Sequence, residues 1–321
     1  MGPVSHDESE MVSTGARTLV SQVLGDDRIL ITGATGWLGR TALDLLNPLG
    51  LPTLALASRA RTIRVVDRSI ECRVWDNQEV AAFRPTIVLD CAFLTRDRIS
   101  DVPLDEYVTA NRSLTERLLF ATRLPGVRTA LTVSSGAAVY PHDALQGALE
   151  DNPYGYLKRE AELRLAETAV NYGVIPVVAR AWSISGAYVQ KPKNYALGSM
   201  ILAADAGEIR IMARRPVFRR YALAEELLAV SIAEGSAGPA CIDSGGKLVE
   251  MAELALRVTQ VVCPDASITR DAVDPADPDR YHSDGTDWER RCQRWGLAGE
   301  SLERQIEITA RGVLARGTTA G

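Results

Sequence analysis

A chain of 321 residues with 46% hydrophobic content is long enough for one large α/β domain or two lobes around a sizeable core. Its net charge is −5, with 36 basic and 41 acidic residues interspersed, so no basic stripe argues for a nucleic-acid partner. Five cysteines without C-x-x-C spacing, three scattered histidines, no apolar run of membrane-spanning length and no signal-peptide core exclude a disulfide framework, a metal site and a membrane anchor, and point to a soluble cytoplasmic protein.

Residues 1–27 are polar and mixed and read as a tail or loose helix ahead of the fold. The apolar run Arg28-Ile29-Leu30-Ile31-Thr32 then leads into Gly33-Ala34-Thr35-Gly36-Trp37-Leu38-Gly39 and a helical pattern over 40–49. In a strand–turn–helix context each glycine of this G-x-x-G-x-x-G spacing has a mechanical purpose. Gly33 permits the tight turn, Gly36 lets backbone approach a pyrophosphate, and Gly39 lets helix pack on strand. The helix N-terminus offers unpaired N–H groups and the positive end of its dipole to phosphates.

A second strand over 53–57 ends in Ser58-Arg59-Ala60-Arg61. A site for NAD usually places a carboxylate here for the adenosine ribose, whereas arginine accommodates a 2′-phosphate. No carboxylate occurs between Thr53 and Val66, so NADP(H) is the preferred cofactor over NAD(H), with Ser58 and Arg59 on the phosphate and Arg61 as a helper. Loop arginines in an arginine-rich chain are the plainer reading.

Apolar strands follow at 70–75, 86–91, 127–134 and 174–180, alternating with helical patterns at 78–83, 104–123 and 154–172. This alternation predicts a Rossmann-type, doubly wound parallel sheet covered on both faces, with ligands beyond the carboxyl ends of its strands. After Arg180 the texture becomes irregular, with Gly and Pro through 181–220, helices over 223–233 and 249–262, a loop-rich stretch over 263–290 and a last helix over 302–314. The division is thus a tail (1–27), a nucleotide-binding domain (28–180) and a mainly substrate-binding lobe (181–321) with elements returning to the core.

The helix over 154–172 opens with Asn152-Pro153-Tyr154-Gly155-Tyr156-Leu157-Lys158. Tyr154 and Lys158 share a helix face, so phenol and ammonium can enter one site. Nine tyrosines and four lysines predict about 0.1 Tyr-x-x-x-Lys pairs by chance. A surface pair steadying one helical turn accounts for the spacing as well.

Taken in order, these landmarks resemble the extended short-chain dehydrogenase/reductases, the group of nucleotide-sugar epimerases, dehydratases and ketoreductases. Further landmarks are the strand ending at Ala92, Asn111, Val133-Ser134-Ser135-Gly136-Ala137-Ala138-Val139-Tyr140, Arg180 with Gly186, and Arg219-Arg220-Tyr221. The resemblance implies cofactor contacts from Gly33, Thr35, Gly36, Trp37, Leu38, Gly39 and Ala92, and from Tyr154 and Lys158 as well. It implies that Tyr154 protonates the alkoxide formed by hydride transfer, that Lys158 lowers the tyrosine pKa, and that Asn111 supports the lysine or the proton path through a water. The carbonyl-holding hydroxyl falls to Ser135, with Ser134 in reserve, because the residue four before Tyr140 is Gly136. Substrate contacts fall to Asn194 and Arg219, the latter as a diphosphate grip, with a solvated loop as the alternative for residues 214–220.

Departures from the family pattern narrow the chemistry. Ala137-Ala138 stands where 4,6-dehydratases carry Asp-Glu, which argues against water elimination. Asp90 stands where many relatives have histidine, and Glu225-Glu226 where two aspartates are usual. The leading expectation is an NADPH-dependent ketoreductase acting on a nucleotide-activated keto-sugar such as a dTDP-4-keto-6-deoxyhexose, in deoxysugar biosynthesis. The alternatives are a nucleotide-sugar epimerase retaining NAD(P), and a catalytically silent NADP-binding regulator. The resemblance also implies a homodimer.

Overall fold

The computed structural model describes residues 13–317; residues 1–12 of the expected tail lie outside them. In chain order the elements are α1 (Thr14–Val23), β1 (Ile29–Thr32), α2 (Trp37–Leu46), β2 (Thr53–Ala57), β3 (Arg61–Val65), β4 (Arg68–Val74), α3 (Asn77–Phe83), β5 (Ile87–Asp90), α4 (Leu104–Thr122), β6 (Thr129–Ser135), α5 (Pro153–Tyr172) and β7 (Ile175–Ala181). They continue with β8 (Ser183–Ser185), α6 (Ala196–Asp205), β9 (Glu208–Ile211), β10 (Phe218–Leu223), α7 (Ala224–Ala237), β11 (Ala240–Asp243), β12 (Lys247–Glu250), α8 (Met251–Val262), β13 (Ser267–Arg270), α9 (Thr286–Arg294) and α10 (Leu302–Gly317).

The main sheet has the order β11-β7-β6-β5-β1-β2-β4-β3, parallel except for β3, which runs antiparallel to β4. Its central strands are apolar at successive positions because both faces are covered. Leu30, Val88 and Ala130 pack with Leu118, Leu119 and Leu165 of α4 and α5. Their neighbours Ile29, Ile31, Leu89 and Leu131 share a core with Leu45 of α2 and Leu227 of α7. Chain order reverses between β1 and β5, which opens a crevice at their carboxyl ends, where ligands of such sheets sit.

A second lobe is built from the sheet β12-β10-β8, the pair β13-β9 and the helices α6, α8 and α10 around Ile201, Leu254 and Ile306. Within the stretch after Arg180, α7 and β11 return to the main core, β11 as an edge strand on β7.

Three departures from the sequence expectation have physical reasons. The stretch before β1 is a docked helix: Ser13 caps α1, Ala16, Leu19 and Val20 are buried, and Arg17 bonds Asp44 at 3.0 Å. Residues 61–65 form β3, which folds Arg61 into a hairpin with β4. In the stretches read as irregular, α6 is apolar around most of its circumference and shows no stripe, and the stripe of α9 is only two residues long, Trp288 and Cys292, on a helix of nine residues. No helix among the described residues is long and apolar enough to cross a membrane.

Candidate active site

The cofactor turn is packed backbone against backbone. Gly33 has φ +64°, and a Cβ there would lie 2.7 Å from the Cys91 carbonyl and 2.8 Å from Ala92 N; a Cβ on Gly39 would lie 2.2 Å from Gly33 O. The end of β5, the turn and the first turn of α2 therefore meet at a distance only glycine allows. The Thr32 hydroxyl fastens the junction, donating to Asp90 at 2.6 Å and accepting from Ala92 N–H at 3.2 Å. Gly36 caps α2 with no side chain over the helix end, so the first-turn N–H groups and the dipole are presented outward, as a dinucleotide pyrophosphate requires. Trp37 and Leu38 are half-buried in this turn, Thr35 O accepts from Gln190 at 2.6 Å, and the Trp37 indole N–H is buried without a partner.

Ser58, Arg59 and Arg61 lie exposed at the carboxyl end of β2 and the start of β3. Neither arginine makes an ion pair among the described residues, in a chain where most arginines do.

At the start of α5, Asn152 accepts the Gly155 N–H at 3.1 Å and donates to Ala137 O at 3.3 Å. A Cβ on Gly155 would lie 2.2 Å from Ala137 O, so the helix start closes directly on the turn that follows Ser135. This juxtaposition brings Ser135 to Tyr154. Burial pushes the half-buried Tyr154 phenol above its usual range, while the nearby Ser135 hydroxyl acts against that shift.

Lys158, one turn on, is buried. Its Nζ donates to Val133 O at 2.7 Å and lies 3.7 Å over the Phe93 ring, whose centroid is 5.8 Å from that of Tyr154. Burial lowers the Lys158 pKa to about 8, opposed by the charge of Asp90. The expectation that Lys158 lowers the tyrosine pKa is corrected here. Its charge is directed to a carbonyl, an aromatic face and Asp90, so desolvation governs the phenol. Asn111 is fully buried; it accepts the Leu94 N–H at 2.8 Å, and thereby supports the segment carrying Phe93.

The two serines separate cleanly. Ser134 donates to buried Glu162, which also takes a bidentate pair from Arg180 at 2.9 and 2.7 Å, so it belongs to the frame. Ser135 instead accepts the Ala137 N–H at 3.2 Å and turns its hydroxyl toward Tyr281. A Cβ on Gly136 would fall 2.4 Å from the Trp182 ring, which explains why no serine stands at that position.

The site also contains residues that the sequence reading missed. Tyr281 Oη lies 3.4 Å from Ser135 Oγ, and its ring packs with Trp182 at 5.0 Å and Tyr140 at 5.4 Å between centroids. Trp182 is fixed by its indole N–H to Asp243 at 2.7 Å. Tyr281 is 146 residues from Ser135 in a stretch without periodicity, so only the tertiary fold reveals it; Gly136 followed by Trp182 was the available clue.

The basic run is paired throughout, with Arg214 and Arg215 exposed to solvent and Arg219 and Arg220 half-buried. Arg214 pairs with Asp271, Arg215 with Asp277, and Arg219 with Asp279 in two bonds of 2.9 and 3.1 Å, while Arg220 donates to Gly246 O. Asn194 lies exposed on the turn before α6 and makes no side-chain hydrogen bond among the described residues.

Comparison with known proteins fits this geometry. A UDP-glucose 4-epimerase of Mycolicibacterium smegmatis is 30% identical over 141 residues, which cover 39% of this chain and only 44% of that protein. A UDP-glucose 4-epimerase from Thermotoga maritima, solved with UDP-glucose, has the same fold, with a TM-score of 0.71 and 19% identity over 91% of this chain and 99% of that one. Another from Brucella ovis, solved with NAD, aligns with a TM-score of 0.69 and 18% identity over 89% of this chain and 98% of that one. The model of one enzyme family, the NAD dependent epimerase/dehydratase family, matches residues 29–218, the stretch that carries the glycine turn, Ser135, Tyr154 and Lys158 and ends just before Arg219. With the Rossmann-type sheet and the Tyr154–Lys158 helix already in place, that match identifies the chain as a member of the NAD dependent epimerase/dehydratase family, among the extended short-chain dehydrogenase/reductases.

Proposed function

We propose that the protein is an NADPH-dependent ketoreductase of a nucleotide-activated keto-sugar, such as a dTDP-4-keto-6-deoxyhexose. The observation that carries this reading is the packing of Tyr154 and Lys158 on the same Phe93 ring, just past the end of β5, beside Ser135 at the end of β6. A bound nicotinamide supplies the hydride. Ser135 holds the carbonyl oxygen, Tyr154 releases its phenolic proton to that oxygen as the alkoxide forms, and Lys158, one helical turn on, donates to the nicotinamide ribose. A phenol held above its ordinary pKa is a reservoir that keeps its proton until a stronger base, the alkoxide, appears. Ala137 and Ala138 place no carboxylate next to Ser135 for eliminating water, which favours reduction over dehydration.

Arg59 after β2 and Arg61 at the start of β3, neither ion-paired among the described residues, support NADP(H), with a 2′-phosphate as their counter-charge. The match to a UDP-glucose 4-epimerase favours a second reading, in which retained NAD takes up the sugar's hydride and returns it to the opposite face. The apolar side chains Leu163 (46% exposed) and Val170 (77% exposed) on α5 support pairing of two copies through α4 and α5.

Purified protein mixed with NADPH and a panel of nucleotide-activated keto-sugars should consume NADPH, followed at 340 nm. Absence of consumption across the panel, with sugar conversion in the absence of added NADPH, assigns the epimerase reading instead.

A further inference from the structure

Asp279 and Tyr281 belong to a strap that is tied at both ends. Phe218 N–H donates to Asp279 O and Asp279 N–H to Pro216 O, each at 2.8 Å, and Ser283 Oγ donates to Ser244 O at 2.8 Å. Between these ties the strap sends two side chains into the crevice. Asp279 takes Arg219 in a bidentate pair and also accepts the Tyr281 N–H at 3.2 Å. Tyr281 sets its hydroxyl beside Ser135 and its ring within 5.5 Å of the Arg219 guanidinium. The carboxylate occupies the cation that an anionic ligand group would need, and the phenol occupies the hydroxyl that a carbonyl would need.

We propose that Asp279 and Tyr281 form a specificity latch that imitates an activated sugar at both of its anchor points. The proposal rests on the nucleotide-sugar reading given above. A ligand carrying a diphosphate and a sugar oxygen replaces both contacts at once. A free sugar replaces only Tyr281, and a bare phosphate only Asp279. Because Asp279 also holds the Tyr281 backbone, loss of the ion pair loosens the phenol, which couples the two points. Selectivity for nucleotide-activated over free sugars then comes from the chain's own competing groups as much as from attraction to the ligand.

Calorimetric titration of the full chain with UDP, dTDP, UDP-glucose and dTDP-glucose tests this. Asp279→Asn, which removes the competing charge, should bind the nucleoside diphosphates roughly tenfold more tightly than the wild type, and Arg219→Gln should lose them. Unchanged NADPH affinity serves as the folding control. Tyr281→Phe, which deletes only the hydroxyl, should bind the nucleotide sugars about threefold more tightly while leaving nucleoside diphosphate affinity unaltered. Equal or weaker binding by Asp279→Asn, or no gain for Tyr281→Phe, overturns the latch and leaves the nucleotide-sugar reading standing. Failure of any of these ligands to bind wild type or variants overturns both.

Discussion

At the level of single residues, the reacting side chains form a circuit in which burial sets the protonation states. Tyr154 keeps its proton because desolvation outweighs the influence of the Ser135 hydroxyl, and Lys158 is brought to about 8 because its partners only partly offset burial. Removing the phenolic hydroxyl should therefore remove the proton source while sparing the fold. Tyr154→Phe should lower kcat by roughly 10²–10⁴ with NADPH affinity within a few-fold, as read by steady-state kinetics and cofactor titration. The ammonium form of Lys158 is present below its pKa and lost as pH rises through it. The rate constant kcat/KM should accordingly fall as pH rises through about 8, and a profile flat to pH 10 contradicts the assigned role of the lysine. The Tyr154–Lys158 pair was legible from spacing and scarcity of lysine. The direction of the tyrosine shift was not, because it depends on burial and on the neighbouring Ser135 and Tyr281, which only packing brings to the phenol.

Among the elements, the turn after β6 and the start of α5 behave as one unit. Gly136 yields its side-chain volume to Trp182, and Gly155 yields its own to the Ala137 carbonyl. Gly136→Ala should destabilise the protein by roughly 1–3 kcal/mol through overpacking, as measured by denaturant unfolding. In a Trp182→Ala background most of that cost should vanish, giving a non-additive double-mutant cycle; additive costs would show that the ring is not what Gly136 accommodates. Periodicity revealed the central strands and long helices because apolar runs and amphipathic stripes report burial directly. It missed β3, whose alternation belongs to an exposed edge hairpin, and α6, which is buried among α8, α10 and β9.

Across the molecule, buried acids at the start of α7 join the parts. Glu225 and Glu226 lie within a few residues of β10, and Glu226 accepts the Glu300 N–H at 2.7 Å from the segment before α10. Glu225 is 1% exposed with one oxygen unpartnered, and burial raises its pKa to about 8. A carboxyl whose folded pKa is raised binds its proton more tightly in the folded state, so it weakens folding as pH climbs from about 4.5 through 8. Glu225→Gln should leave stability near pH 4 almost unchanged and raise it by roughly 1–3 kcal/mol at pH 8, read from unfolding curves at the two pH values. The reverse trend would mean that the carboxylate is stabilised in place. In the sequence this pair looked like plain variation, since nothing local marks a glutamate as buried. The same limit hid the strap: aspartates and prolines over 271–279 read as loop, and their pairing with the basic run is a property of the assembled lobe.

The central claim, net reduction of an activated sugar with hydride from NADPH, is tested most directly by isotope transfer. With NADPH deuterated at the transferring position of nicotinamide C4, the account predicts one deuterium at the reduced carbon of the sugar for each NADPH oxidised, and with Tyr154→Phe the same ratio at a rate lower by roughly 10²–10⁴. Sugar conversion without deuterium incorporation, or conversion that proceeds undiminished without added NADPH, would contradict it.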